Sequence, residues 1–379
     1  MTQTSFRRRI LATLAVVAVC SFSGLTTASA DSRRPANPGH LVFAQTDNPA
    51  GNEIAVYERS PDGRLARVET VKTGGLGGRL EGAVVDPLAS QGSLLYDADH
   101  AMLFAVNAGS NSVSVFTLRG NHLRLRQVLR SGGAFPVSLA RSGKLVYVLN
   151  AADAASIKGF ALHDRRLDPI ARSSRSLRLT PVTGPAQFVN TPGQVAFSPD
   201  GRHLLVTTKA NGSSIDVFAV RPDGRPSATF AANPSSTPVP FGIAFDRHHR
   251  LVVAEAGTSA LSTYRLNRNS TVTPIASVTN GQAALCWVVD ARGFAFGANA
   301  GSGTVTSYRP DGHGGFTVAS ETSVDGGPID MAASPSGKFL YVEAGGAGAI
   351  DALRINGDGS LTSIGSVTGL AGLEGIAIA

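Results

Sequence analysis

The chain has 379 residues, 42% of them hydrophobic and 16% charged, with a formal net charge of +7. That length and apolar content can bury a sizeable core and exclude an intrinsically disordered chain. Arg7, Arg8 and Arg9 account for three of the positive charges, so the chain beyond them carries +4; its basic residues, such as Arg165, Arg166, His248, His249 and Arg250, fall in turns without an aromatic stacking platform, and no nucleic-acid partner is expected.

Residues 1–30 have the form of an export signal. Three arginines precede an apolar run from Ile10 to Cys20, and Ala28-Ser29-Ala30 fits the small-residue cleavage pattern. The run is too short to span a bilayer, so no membrane insertion is expected once it is removed. The arginines also resemble a twin-arginine signal. Val19 before Cys20 is too large for a lipoprotein site. Residues 31–40 read as a disordered lead, and the expected location is secreted or periplasmic. Only Cys286 then remains, so no disulfide forms within the chain, and a buried thiol is the simplest role for it.

From residue 41 onward one phrase organises the sequence. NAGSNSVSVF begins at Asn107 and NAGSGTVTSY at Asn299. Their second half, an aliphatic residue three places before a usually aromatic partner, recurs at Ile54, Val113, Ile157, Ile215, Leu261, Val305 and Ile350, in steps of 59, 44, 58, 46, 44 and 45 residues. A period of about 40–45 residues built from short β-branched runs marks a β-propeller blade. Pro-Asp-Gly turns after the phrase, as in SPDGRL at Ser60 and RPDGHG at Arg309, reverse the chain between third and fourth strands. A second set, SPDGRH at Ser198 and SPSGKF at Ser334, separates first from second strands.

The expectation is an all-β, seven-bladed propeller of four-stranded antiparallel blades over residues 41–379. The first repeat starts at LVFAQT, already a second strand, and the chain ends in GLEGIAIA, a first strand with no successor. The C-terminal strand should therefore close the first blade and leave no open sheet edge. A monomer is expected.

Two crossings between blades are long, Thr73–Gln91 and Ser174–Thr191, and both lie on the same face. Insertions gathered on one face mark it as the binding face. Two rings of residues should line the central channel there. The third residue entering each inner strand gives Ser93, Ser138, Gln194, Gly242, Cys286, Asp330 and Glu374. The last residue of each second strand gives Thr46, Asn107, Asn150, Thr208, Glu255, Asn299 and Glu343. Small and polar residues in both rings predict a wet channel. The asparagines also suit left-handed turn positions, which favours a structural role.

Asp330, Glu343 and Glu374 should converge on one side, with Arg79 in the long loop nearby. Clustered carboxyls raise one another's pKa, which suits a general base. These four are the catalytic candidates; Gln194, Ser93, Asn107, Asn150, Glu255 and Asn299 are candidates for binding substrate. No Gly-x-Ser-x-Gly elbow occurs, and the eight histidines show no metal-ligand spacing, so neither cofactor nor metal is expected.

With the repeats in hand, the sequence resembles the seven-bladed propeller lactonases, which include propeller-type 6-phosphogluconolactonases and carboxymuconate-cyclising enzymes. The carrying segments are GSLLYDADHAMLFAVNAGSNSVSVF, PFGIAFD, ALCWVV and GPIDMAASPSGKFLYV, and the likeness covers residues 41–379. It implies metal-independent opening of a small lactone, with a carboxylate activating water. In that family the fourth blade presents an Arg-His-like pair and a Glu. Here those positions hold Gly193, Gln194 and Thr208, followed by Lys209. Two readings stay open: a hydrolase acting on a sugar-derived or organic-acid lactone, and an exported propeller that binds a ligand or protein without turnover.

Overall fold

The computed structural model describes residues 40–370 and 372–379; the export signal and all of the lead except His40 lie outside the described residues. Middle strands of the repeats, such as Met102–Asn107 and Ser112–Arg119, are buried on both faces along almost their whole length. A sheet built from such strands must be covered on both sides, and seven sheets arranged radially cover one another.

Seven sheets form, and in six of them the core of the sheet runs first strand to fourth in chain order. In the second blade these strands are Leu94–Asp97, Met102–Asn107, Ser112–Arg119 and His122–Arg130. The third blade adds the two-residue strand Arg175–Ser176 beside its own third strand. The first blade differs as the sequence demands. Its innermost strand is Ile376–Ile378, which pairs antiparallel with Leu41–Gln45 through Val42↔Ile378, Phe43↔Ala377 and Ala44↔Ile376. The ring is therefore closed by the C-terminal strand, as expected.

The core lies between blades. Phe43, Ile54 and Val56 of the first blade pack with Leu103, Ala105 and Phe116 of the second. The aromatic of the repeated phrase supplies much of this: Tyr57, Phe116, Phe160, Phe218, Tyr264 and Tyr308 are all at most 2% exposed. Hydroxyl groups then bolt neighbouring blades. Tyr147 donates to the carbonyl of Gly224 at 2.6 Å and Tyr341 to that of Gly63 at 2.7 Å, both in Pro-Asp-Gly turns of the next blade.

Near the ring centre several inner strands carry a β-bulge, at Val137, at Phe241-Gly242, at Cys286 and at Asp330. A bulge adds one unpaired residue and re-aims its side chain. Asp330 also has φ of +28°, a strained value for a residue with a β-carbon.

Deleting residues 373–379 tests closure. Leu373 and Ile376 are buried, and each such side chain contributes about 1.5–3 kcal/mol of burial. The truncated chain should melt well below the full chain and aggregate through the bare edge of Leu41–Gln45. A monomeric truncation with an unchanged melting temperature would contradict the closed ring.

Candidate active site at the centre of the ring

The ring of residues expected on the inner strands does join blade to blade. Ser93 Oγ donates to the Glu374 carbonyl at 2.9 Å, and Ser138 Oγ donates to the Gln91 carbonyl at 2.7 Å. Gln194 Oε1 accepts from the Ile243 amide at 2.5 Å.

The expected wet channel is a correction. The end of the long crossing loop, Asp86–Gln91, is buried throughout and fills the centre of the ring. Gln91 places its side-chain amide against Val288, donating to the carbonyl at 2.9 Å and accepting from the amide at 3.2 Å. Trp287 Nε1 donates to the Ser90 carbonyl, and Ser90 Oγ donates to that of Val137. The segment thus bonds to the third and sixth blades, and the Gln91 amide adds a bond to Gly193 of the fourth. Gly242 permits the approach: a Cβ there would lie 2.3 Å from Gln91 Oε1 and 2.7 Å from the Cys286 carbonyl.

Beside this segment stand five buried carboxyl groups: Asp47, Asp86, Asp330, Glu343 and Glu374. Asp86 is their hub. Its carboxyl accepts from the amides of Leu88, Ala89 and Ser90, and it shares a hydrogen bond with Glu374. Burial raises its pKa, while the Glu374 bond and the charge of Lys209 oppose that rise. Glu374 is raised well above the usual range by burial and then by Asp86. Burial also lifts Asp47 and Glu343 far above theirs.

Asp330 is pushed up to about 7, chiefly by burial, although the amides of Met331 and Ile376 both donate to it. Glu343 accepts from Gly375 at 2.8 Å through Oε2, and its Oε1 is a buried atom without a hydrogen-bond partner among the described residues.

One cation faces these acids. Lys209 is 1% exposed, and its ammonium donates to the carbonyls of Ala89 and Phe188 and to Thr191 Oγ1 at 2.7–3.1 Å. It also lies over the rings of Phe188 and Phe241, 5.6 and 5.1 Å from their centroids. Burial lowers its pKa to about 7 against the pull of Asp86. Lys209 and Asp47 occupy the same place in their blades, two residues past the end of the second strand, with φ of +51° and +46°. Backbone strain of this kind gathers at sites where geometry is held for a purpose.

The structure brings Asp330, Glu343, Glu374 and Ser93 together and leaves the other candidates elsewhere. Arg79 is exposed, and its guanidinium donates to the carbonyls of Ala83 and Val84 in its own loop; no ion pair joins it to the acids. Glu255 is spent on structure, accepting from Thr237 N and Oγ1, Ser262 Oγ and Tyr264 OH. Asn107 bonds to Asn52, Ser112 and Ser114, and Asn299 to Asn280, Thr304 and Thr306. Asn150 is buried, and its side-chain amide has no hydrogen-bond partner among the described residues.

The reason is register. Counting from the paired aliphatic residue of the third strand, Glu343 opposes Ile350 just as Val106 opposes Val113 and Ala298 opposes Val305. Glu343 therefore sits one residue earlier than Asn107 and Asn299, and one residue along a strand changes the face. The expected second ring mixed two faces; Glu343 belongs to one and the asparagines to the other.

Lys209, Asp86 and Asp47 were not singled out from the sequence as site residues. A signal existed for two of them, because TTKANGS and QTDN place a charge where NAGS has alanine. Cys286 is buried with its thiol pushed up to about 12 by burial and by Asp86, which keeps it a thiol. Among the described residues, no group of three or more His, Cys, Asp or Glu side chains is arranged to hold a metal ion, and no helix is long and apolar enough to cross a membrane.

These features define a closed seven-bladed β-propeller with an acid-lined, lysine-bearing centre. No protein-family model matches the sequence, and no curated protein matches it. Solved structures do share the fold. The periplasmic gluconolactonase PpgL of Pseudomonas aeruginosa superposes with a TM-score of 0.73 at 16% identity, over 90% of this chain and 99% of that one. Candidate 6-phosphogluconolactonases of Bacteroides fragilis and Bacteroides uniformis give 0.69 and 0.70, each at 18% identity, over 91% and 90% of this chain and all of theirs.

The acids carry a consequence for stability. A carboxyl whose pKa is higher in the folded chain stabilises the fold at pH values below its unfolded pKa, and that contribution is lost as pH rises through the folded value. For Asp330 the window runs from about 4 to about 7, with a slope of about 1.4 kcal/mol per pH unit at most. Lys209 has the opposite sign, so its contribution is present above its ordinary value near 10.5 and is lost as pH falls through about 7. Urea unfolding should therefore show the wild type more stable at pH 5 than at pH 7. Asp330→Asn should flatten that decline, and an identical slope in both proteins would remove Asp330 from the account.

Proposed function

We propose that the protein is a propeller-type hydrolase that opens a small, unphosphorylated sugar-derived or organic-acid lactone at the centre of the ring, after export from the cytoplasm. The observation that carries this reading is the pair Asp330 and Lys209. Both are buried and strained, both are moved to a pKa of about 7, and both surround the Asp86 segment. A base and a cation that titrate near neutrality are what ester hydrolysis in a ring requires. The fold shared with proteins named gluconolactonases supports the substrate class.

In this mechanism ionised Asp330 takes a proton from water as the water oxygen bonds to the lactone carbonyl carbon. The Lys209 ammonium steadies the oxyanion that forms. The ring C–O bond then breaks, and its oxygen takes a proton from the Asp86–Glu374 pair. The hydroxy acid produced ionises at neutral pH, and its proton returns the pair to its starting state. Asp330 gives up to solvent the proton it took from water, the one proton released per turnover. Asp86–Gln91 must lift for the substrate to enter, which assigns that loop the role of a lid. Chemistry at this site calls on carboxyl and ammonium groups without a metal.

A second reading rests on a specific observation. The ammonium of Lys209 already satisfies three acceptors and the loop fills the centre, as a ligand-binding scaffold without turnover would. Proton release from a panel of aldonolactones and simple γ- and δ-lactones separates the two. Under the hydrolase reading, Asp330→Asn should lower the rate by about 10²–10⁴-fold, and Lys209→Met should lower it by a similar factor. If the wild type opens no lactone yet binds one, the second reading stands. If the wild type is active and both variants keep full rate, the reaction lies elsewhere.

A further inference from the structure

On the face opposite the crossing loops, the turns of the third, fourth and fifth blades surround an open cavity of about 700 Å³. That volume is in the range of small-molecule sites. Its walls are apolar where Leu145, Val220 and Leu266 line them, and three arginines, Arg202, Arg221 and Arg268, stand around it. All three are exposed at the turns. Arg221 and Arg268 have no side-chain hydrogen bond or ion pair among the described residues.

The charge is not cancelled locally. Asp200 is the acid of the lining; its carboxyl already accepts from Ser198 Oγ at 2.6 Å and from the Arg202 amide at 3.1 Å, and its 3.9 Å contact with Arg202 is a loose pair. The site thus keeps an excess of about two positive charges next to an apolar wall. A further unpaired donor or acceptor lies in that wall: His203 is 6% exposed, and its Nδ1 has no hydrogen-bond partner among the described residues. Buried polar atoms normally find one.

We propose that this cavity is a binding site for a small organic anion, with a phosphate or carboxylate head held by Arg221 and Arg268 and an apolar body against Leu145, Val220 and Leu266. The planar fork of arginine suits both head groups and forms paired, charge-assisted bonds with either. The site is remote from the ring centre and does not rest on the hydrolase reading. It takes a ligand whether or not the protein opens lactones.

Isothermal titration of the mature chain with phenyl phosphate, benzoate and inorganic phosphate, each at matched ionic strength, tests it. Phenyl phosphate should bind with a Kd of about 1 mM or tighter, and inorganic phosphate should bind at least about 10-fold more weakly for want of an apolar body. Benzoate binding in place of phenyl phosphate would assign the head group as a carboxylate, and binding of both would show that the site takes either, each within the proposal. The double variant Arg221→Ala/Arg268→Ala should lose at least about 10-fold in affinity. Its melting temperature without ligand should stay at the wild-type value, because neither side chain has a partner to lose. Absence of binding by both organic anions, or equal binding by the double variant, would overturn the proposal.

Discussion

Every blade in this molecule is apolar on both faces, and that constraint decides the rest. A strand such as Met102–Asn107, buried along its whole length, has no solvent face to present. Each sheet must lie between two others, so the row of sheets has to close into a ring. Closure falls to three residue pairs, Val42↔Ile378, Phe43↔Ala377 and Ala44↔Ile376. The same pairing delivers chemistry: Glu374 donates its amide to the Gln45 carbonyl at 2.9 Å, just before the closing strand, and is carried to the side of Asp86. Fold and site therefore share one contact.

The centre is an electrostatic compromise. Among the described residues five carboxyl groups are buried with the Lys209 ammonium, and low dielectric makes it costly to ionise them together. Burial pushes all five towards the neutral form. At Asp86 three backbone amides and Lys209 oppose that push by favouring the charged form. Its charge is felt by Asp47, Asp330, Glu343, Glu374, Lys209 and Cys286 alike. Asp86 thus ties the crossing loop to every ionisable group of the centre.

Much of the fold was legible, because it rests on local rules that repeat. The spacing of Val113, Leu261 and Val305 fixed the strand count, and Pro-Asp-Gly turns fixed the reversals. The truncated first repeat matched GLEGIAIA at the other end. The inner ring from Ser93 to Glu374 was legible too, as was the meeting of Asp330, Glu343 and Glu374. Arg79 was not, because a loop residue has no periodicity to place it. Glu255 looked like a channel residue until its strand register turned it towards Ser262 and Tyr264.

What the sequence determined by itself was the architecture: blade number, strand order and closure. These follow from alternation, turn chemistry and chain ends, which are properties of neighbours along the chain. What only the tertiary structure decided was the content of the centre. That Asp86–Gln91 fills it, that Lys209 reaches Ala89 across it, and that Glu343 faces the acids while Asn107 faces its own third strand are contacts between residues far apart in sequence. Such contacts depend on how loops settle into the space the ring leaves, and on a one-residue register that turns a side chain from one face to the other.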